Sequence, residues 1–270
     1  QEFGHGVIRV LPIIIVSYLA GLGTEFIFVH IKQKEIEEGF LVSGMLIPLI
    51  IPVDTPLWMV AVATIFAVVI GKEVFGGTGM NIVNPALLAR AFLFFAYPSK
   101  MSGDKVWVSR LSGGEGIVDG YSGATPLGQA MNSGADIVDP VGNNLSTFDY
   151  FIGWIPGSIG ETSTLMILLG AAILLFTGVG SWKIMFSGII GGIAMGVLLN
   201  VFATETNPAM SVPFYDHLVL GGFAFGMVFM ATDPVSAAQT ERGKWIYGFL
   251  CGFLAILVRV LNPAYPEGVM

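Results

Sequence analysis

Asp119-Gly120-Tyr121-Ser122-Gly123-Ala124-Thr125 lies in a polar segment between apolar ones, and its hydroxyl and tiny residues have no evident packing task. A terminal Thr flanked by Ser122, Gly123 and Ala124 leaves room for another enzyme's active site to close around the chain. A second chemical set is acidic and sits within apolar sequence. Glu25 lies in "AGLGTEFIF" with no basic partner in that stretch, Asp54 and Asp233 sit in "IPVDTP" and "ATDPVS", and Glu73 follows Lys72 before "GGTG". An ionisable group in hydrocarbon costs at least about 2.5 kcal/mol, so such acids are functional candidates by default. Carboxylates and the open carbonyls of a broken helix suit a hard cation. Plainer readings stand beside this one: Glu73 pairs with Lys72 or sits at an interface, and Asp54 and Asp233 cap the helices that follow them.

The elements that must position these residues are membrane helices. Of 270 residues, 54% are hydrophobic and 11% charged, with a mean hydropathy of +0.78; soluble domains carry about 25% charged residues. The 36 glycines fit helices that pack closely in lipid. A net charge of −7 argues against a nucleic-acid partner. The single Cys251, in an apolar run, reads as packing. Apolar runs recur at about 7–29, 40–53, 56–71, 84–97, 164–179, 184–202, 218–232 and 245–261. Several are short against the roughly 20 residues a crossing needs, and those at 40–53 and 218–232 end at an acid near a proline. Such interrupted segments in matching halves mark a transporter-type site.

The halves do match: "GMLIPLIIPVDTPLW" (44–58) resembles "GMVFMATDPVSAAQTERGKW" (226–245), and "NPALLARAF" (84–92) starts like "NPAYPEGVM" (262–270). An odd number of apolar runs separates the copies, which implies an inverted repeat. The expected fold is therefore an all-α polytopic membrane protein with about five transmembrane helices per half, short or broken in places. We expect a single transmembrane domain over 1–270: a first repeat at about 1–97, an extracytoplasmic loop at about 98–147 outside the helical core, and a second repeat at about 148–270. The abrupt ends read as a fragment with about eight of ten helices. Basic residues at 30–39, Lys183 and "ERGK" (241–244) put those links in the cytoplasm, with Lys100, Lys105 and Arg110 counting against it. The segment 149–160 is too short to cross and is expected on the outer surface.

Loop 98–147 is longer than a simple connector needs. "DGYSGAT" matches the D-x-x-[ST]-G-A-T signature at which a flavin transferase joins FMN to Thr as a phosphoester. In that reaction the hydroxyl attacks the inner phosphate of FAD and becomes an ester. With it, "GKEVFGGTGMNIVNPALLARAFLFFAYP" (71–98), "GWIPGSIGETSTL" (153–165), "HLVLGGFAFGMVFMATDPVSA" (217–237) and "VLNPAYPEG" (260–268) resemble the NqrB/RnfD family over essentially the whole chain. That family comprises the NqrB subunits of the sodium-pumping NADH:quinone oxidoreductase and the RnfD subunits of the Rnf ferredoxin:NAD complex; the long blocks are more similar to the NqrB branch.

The resemblance implies a membrane subunit of a redox-driven sodium pump in the bacterial inner membrane, working with other subunits and ubiquinone. It implies covalent FMN on Thr125, with Asp119, Ser122, Gly123 and Ala124 as the recognition motif on the periplasmic side. It also implies non-covalent riboflavin, with Asn84 as candidate contact; a quinone site near Gly21 and Phe40; and Na⁺ export, with Glu25 as an acid in the path, while Asp54, Glu73 and Asp233 stay ion-path candidates on their residue setting alone. Asn84 has a plainer reading within a close-packed turn, and Phe40 as an interfacial anchor. Arg90, a buried cation, is expected to pair with an acid. His5, His30 and His217 lack metal-ligand spacing and are expected at the interface. No C-x-x-C pair or dinucleotide fingerprint occurs, so iron–sulfur centres and NADH belong to other subunits. The alternatives are an Rnf-type ion-pump subunit and a non-redox channel or secondary transporter.

Overall fold

In lipid, backbone polar groups must be satisfied within the chain, which leaves helices as the default for apolar runs. The computed structural model describes residues 2–33, 39–101, 125–134, 137–138, 144–204 and 207–262. Asp119, Ser122, Gly123 and Ala124, and the side chain of His5, lie outside that description. Among the described residues there is no strand, only an isolated bridge between Val138 and Asn144. The main helices are α1 (Glu2–Lys32), α2 (Phe40–Ile50), α3 (Leu57–Gly71), α4 (Pro85–Ala96), α5 (Pro126–Ser133), α6 (Thr147–Ile152), α7 (Thr164–Phe176), α8 (Trp182–Val201) and α9 (Glu241–Leu261). Among the described residues, four stretches are long and apolar enough to cross a membrane: Gly6–Lys32, Leu57–Phe75, Trp182–Val201 and Glu241–Leu261. With the shorter apolar helices α2, α4 and α7, this is an all-α polytopic membrane protein.

The chain divides into two compact units, 1–101 and 102–270. In the first, α1 and α3 run parallel. Arg9 near the start of α1 faces Asp54 ahead of α3 (Nη1–Oδ1 3.6 Å), and Lys32 at the end of α1 reaches Glu73 just after α3 (Nζ–Oε2 3.1 Å). Between them α2 runs the other way, held by Ser17 Oγ donating to the Gly44 carbonyl (2.9 Å) and Tyr18 Oη to that of Leu41 (2.8 Å). Pro52 and Pro56 end α2 and open α3. The turn into α4 uses Gly76 and Gly77 at φ 131° and 105°, a backbone region closed to most side chains.

The second unit repeats the plan. Parallel α8 and α9 meet at their N-termini, where Glu241 binds Lys183 and Lys244. Between them comes a broken segment: helical pieces at Asp216–Val219 and Phe223–Phe225, then a π-turn at Gly226–Met230. The apolar run expected over 218–232 therefore breaks once more than the sequence suggests, at Gly221 (φ 62°). The loop expectation is also corrected at its C-terminal part. Residues 126–133 form helix α5, and its Leu127, Ala130 and Met131 are buried with Ile184, Leu199, Phe223 and Ile256 in the unit's core.

Small residues set the α8–α9 spacing, as is common where lipid supplies no hydrophobic drive between helices. A Cβ on Gly252 would fall on the Gly188 carbonyl, and one on Gly248 would collide with Ser187. Gly23 of α1 has nothing within 4 Å of an added Cβ. Gly252→Val is expected to lower the thermal midpoint in detergent by an amount equivalent to about 2 kcal/mol or more, and Gly23→Ala to leave it unchanged. Equal effects of the two substitutions would contradict this packing.

Candidate functional site

Thr125 is fixed by the helix that follows it. Pro126 presets the first turn of α5, and the Thr125 Oγ1 accepts a hydrogen bond from the Gly128 amide at 3.1 Å, capping the helix. Buried Leu127 anchors the turn behind it. Beside Thr125 opens a small cleft lined by Leu127, Ile155, Pro156, Ser158, Glu161 and Gly221. Ser158 Oγ donates to Glu161 Oε2 at 2.6 Å, and both residues are buried. The Thr125 hydroxyl thus stands at a helix N-terminus, where first-turn amides and the helix dipole favour an anion. Ser158 and Glu161 were not singled out from the sequence, although "GWIPGSIGETSTL" is among the stretches that carry the family resemblance.

The segment leading to that cleft is pinned by α6. Ser146 and Asp149 form a reciprocal cap on its N-terminus, and Thr147 Oγ1 donates to Asp216 Oδ1 at 2.8 Å. Asp216 and Tyr150 lie outside the four long spans. Burial raises the Asp216 carboxyl above its usual range against the lowering by Thr147, and burial together with the Asp216 and Asp149 charges pushes Tyr150 up to about 12. His217, expected at the interface, is instead fully buried, and its carbonyl accepts from Arg259 Nη1 at 2.7 Å.

The ion candidates do not form one cluster. The stretch around Glu25 lacks a basic residue, but the fold supplies one: Lys72, from the end of α3, pairs with it, and both are buried. Glu73 accordingly pairs with Lys32 rather than Lys72. Asp54 is exposed beside Arg9. Asp233 accepts from the Val235 amide (3.2 Å) and Ser236 Oγ (2.8 Å), which orders the break before α9. Among the described residues no three His, Cys, Asp or Glu side chains gather as a metal site.

Asn84 caps α4, accepting from the Ala86 and Leu87 amides at 2.9 and 3.4 Å. Gly21 and Phe40 do come together: a Cβ on Gly21 would fall inside the Phe40 ring, which is fully buried. Phe40 is therefore a packed residue and not an interfacial anchor. Arg90, also buried, donates to the Ile50 carbonyl at 2.6 Å, so a helix-end carbonyl is one of its partners. A cavity of about 310 Å³, not foreseen from the sequence, lies where α8 and α9 begin, lined by Trp182, Lys183, Thr232, Pro234 and Lys244.

Comparison with known proteins decides the family, since the sequence model of the NQR2, RnfD, RnfE family matches residues 3–270. The chain belongs to that family. It is 53% identical over 267 residues to the B-type subunit of the Na(+)-translocating NADH-quinone reductase of Klebsiella pneumoniae (strain 342), covering 98% of this chain and 63% of the relative. With the corresponding reductase subunit of Yersinia pestis it shares 54% over 262 residues (96% and 62%), and with that of Stutzerimonas stutzeri (strain A1501) 50% over 270 residues (100% and 64%). The chain thus spans less than two thirds of the length of these NQR2, RnfD, RnfE family members.

The Asp216 carboxyl titrates with the fold. A raised folded pKa means its contribution to stability is full below the ordinary carboxylate pKa of about 4 and is lost as pH rises through the folded value. Asp216→Asn keeps an acceptor for Thr147 and stays neutral. Its thermal midpoint should fall less than the wild type's between about pH 4 and pH 7. Parallel pH profiles would contradict the assignment.

Proposed function

We propose that the chain is the membrane subunit of a redox-driven sodium pump that carries FMN as a phosphoester on Thr125 and passes electrons from NADH-derived flavins towards ubiquinone. The observation that carries this reading is Thr125 itself: the terminal residue of the flavin-acceptor signature is a helix cap beside a cleft, in a chain about half identical to proteins named as B-type subunits of the Na(+)-translocating NADH-quinone reductase. The residues present suit the group. An esterified Oγ1 would keep its phosphate near the first-turn amides of α5, and the buried core under Leu127 would hold that turn still. Bound flavin supplies one- or two-electron exchange; the protein supplies position and electrostatics.

In this reading Asn84 is a riboflavin contact, Gly21 and Phe40 border the quinone site, and Glu25 belongs to the Na⁺ path. Asp54, Glu73 and Asp233 are further ion-path candidates: Asp54 pairs with Arg9 at the surface, buried Glu73 pairs with Lys32, and Asp233 orders a helix break. Other subunits supply NADH binding and iron–sulfur centres. The bacterial inner membrane, a periplasmic flavin loop, and an inverted repeat of about ten helices in the longer chain complete the proposal. The plan shared by the two units, parallel long helices around a broken one, supports the repeat.

The test is in-gel flavin fluorescence of the full-length protein from a host containing the flavin transferase. Wild type and Thr125→Ser are expected to give a fluorescent band under denaturing conditions and Thr125→Ala a dark one. Thr125→Ala should also abolish quinone reduction by the assembled complex, while losing only about 1 kcal/mol of cap stability. A dark wild-type band would favour the transporter reading; normal quinone reduction by Thr125→Ala would remove Thr125 from the electron path.

A further inference from the structure

We propose that Lys72 is a tethered cation resident on Glu25, and that a transported monovalent cation reaches this carboxylate by displacing the Lys72 ammonium. The proposal deepens the reading given above and rests on Glu25 handling the ion. Side-chain exposures of 5% for Lys72 and 7% for Glu25 leave each charge with little access to water. Removing either one would take from the other its buried ion-pair partner. The neighbouring pair, Glu73 with Lys32, makes the group of four electrically neutral. An incoming cation would add a net positive charge to that neutral group unless a resident ammonium gave way. Lys32 is the one with access to solvent, at 30% side-chain exposure. Its release to water frees the Glu73 carboxylate for Lys72, its sequence neighbour, as the ion takes Glu25. No covalent bond changes; one cation replaces another.

The repeat supplies an independent argument. Lys72 stands fourteen residues after Trp58 on α3, and Arg259 stands fourteen residues after Trp245 on α9, the two tryptophans that close the matching segments. Both cations are buried. In the second unit the cation meets the carbonyl of His217; in the first it meets a carboxylate. A buried cation at this position is thus common to both halves, whereas a carboxylate on the preceding long helix is the first half's own addition. A scaffold charge has become the counter-ion of an exchangeable site. Lys in place of Arg suits exchange, because an ammonium is a compact point charge, whereas a guanidinium grips a carboxylate with two parallel bonds.

The test uses the assembled complex containing the full-length chain. It reads the half-saturating Na⁺ concentration for quinone reduction and, separately, equilibrium ²²Na⁺ binding. Lys72→Arg, which keeps the charge and tightens its grip, is expected to raise the half-saturating concentration severalfold at normal flavin content. Lys72→Met, which removes the competitor, should lower it severalfold in the fraction that assembles. An unchanged value in Lys72→Arg overturns the proposal, even if Lys72→Met fails to assemble, since a purely structural pair would move assembly and not Na⁺ affinity. Glu25→Gln separates the two layers. If it shifts Na⁺ dependence while Lys72→Arg does not, only the role of Lys72 falls; if Glu25→Gln itself leaves Na⁺ dependence unchanged, the ion role of Glu25 falls too.

Discussion

Inside hydrocarbon, a charge or an open carbonyl has only the protein to answer it. That constraint explains the placement of three buried cations. Arg90 answers the Ile50 carbonyl at the end of α2, Arg259 the His217 carbonyl in the broken segment, and Lys72 the Glu25 carboxylate. Two of these stand where a helix stops short. Helix ends leave carbonyls without intrahelical partners, and a guanidinium reaching over from a packed helix satisfies one and complements the local dipole. The short helices so typical of this chain are tolerable because cations were spent on their ends, and Glu25 is tolerable because Lys72 neutralises it.

The same rule shapes the Thr125 end of the second unit. Helix α5 begins with amides that need acceptors, and Thr125 Oγ1 serves Gly128. Esterification would trade part of that acceptor strength for a phosphate close to the same amides, so capping and carrying a phosphoester are compatible tasks for one side chain. The π-turn at Gly226–Met230 and the break at Gly221 bring Gly221 to the border of the same cleft, which a continuous helix over 218–232 would not allow.

Long apolar runs and their Pro-marked breaks were legible because hydropathy and helix interruption are local properties: α1, α3, α8 and α9 fall where the runs predict. Thr125 stood out through a contiguous motif, but its place as the cap of α5 did not. Glu25's partner was not, since Lys72 lies 47 residues away and only the parallel packing of α1 and α3 joins them. Phe40 misleads because an aromatic at a helix start resembles an anchor; the missing side chain of Gly21 across the interface is what admits its ring. Helix α5 escaped notice because "PLGQAMNS" is short and mixed in polarity, although Thr followed by Pro is a helix-start signal. The equal Trp-to-cation spacing in α3 and α9 was present in the sequence all along, but two tryptophans gain meaning only once both helices are seen to occupy the same place in the shared plan.

On the proposed reading, a helical scaffold with internally paired charges holds a flavin at one helix start and an exchangeable cation at one helix end. The redox half of that account turns on a single covalent bond. Peptide mass spectrometry of the full-length protein from its own cell measures it most directly. The account predicts that the peptide containing Thr125 is heavier by flavin mononucleotide less one water, with fragment ions placing the addition on that threonine. An unmodified Thr125 peptide as the dominant species would contradict it.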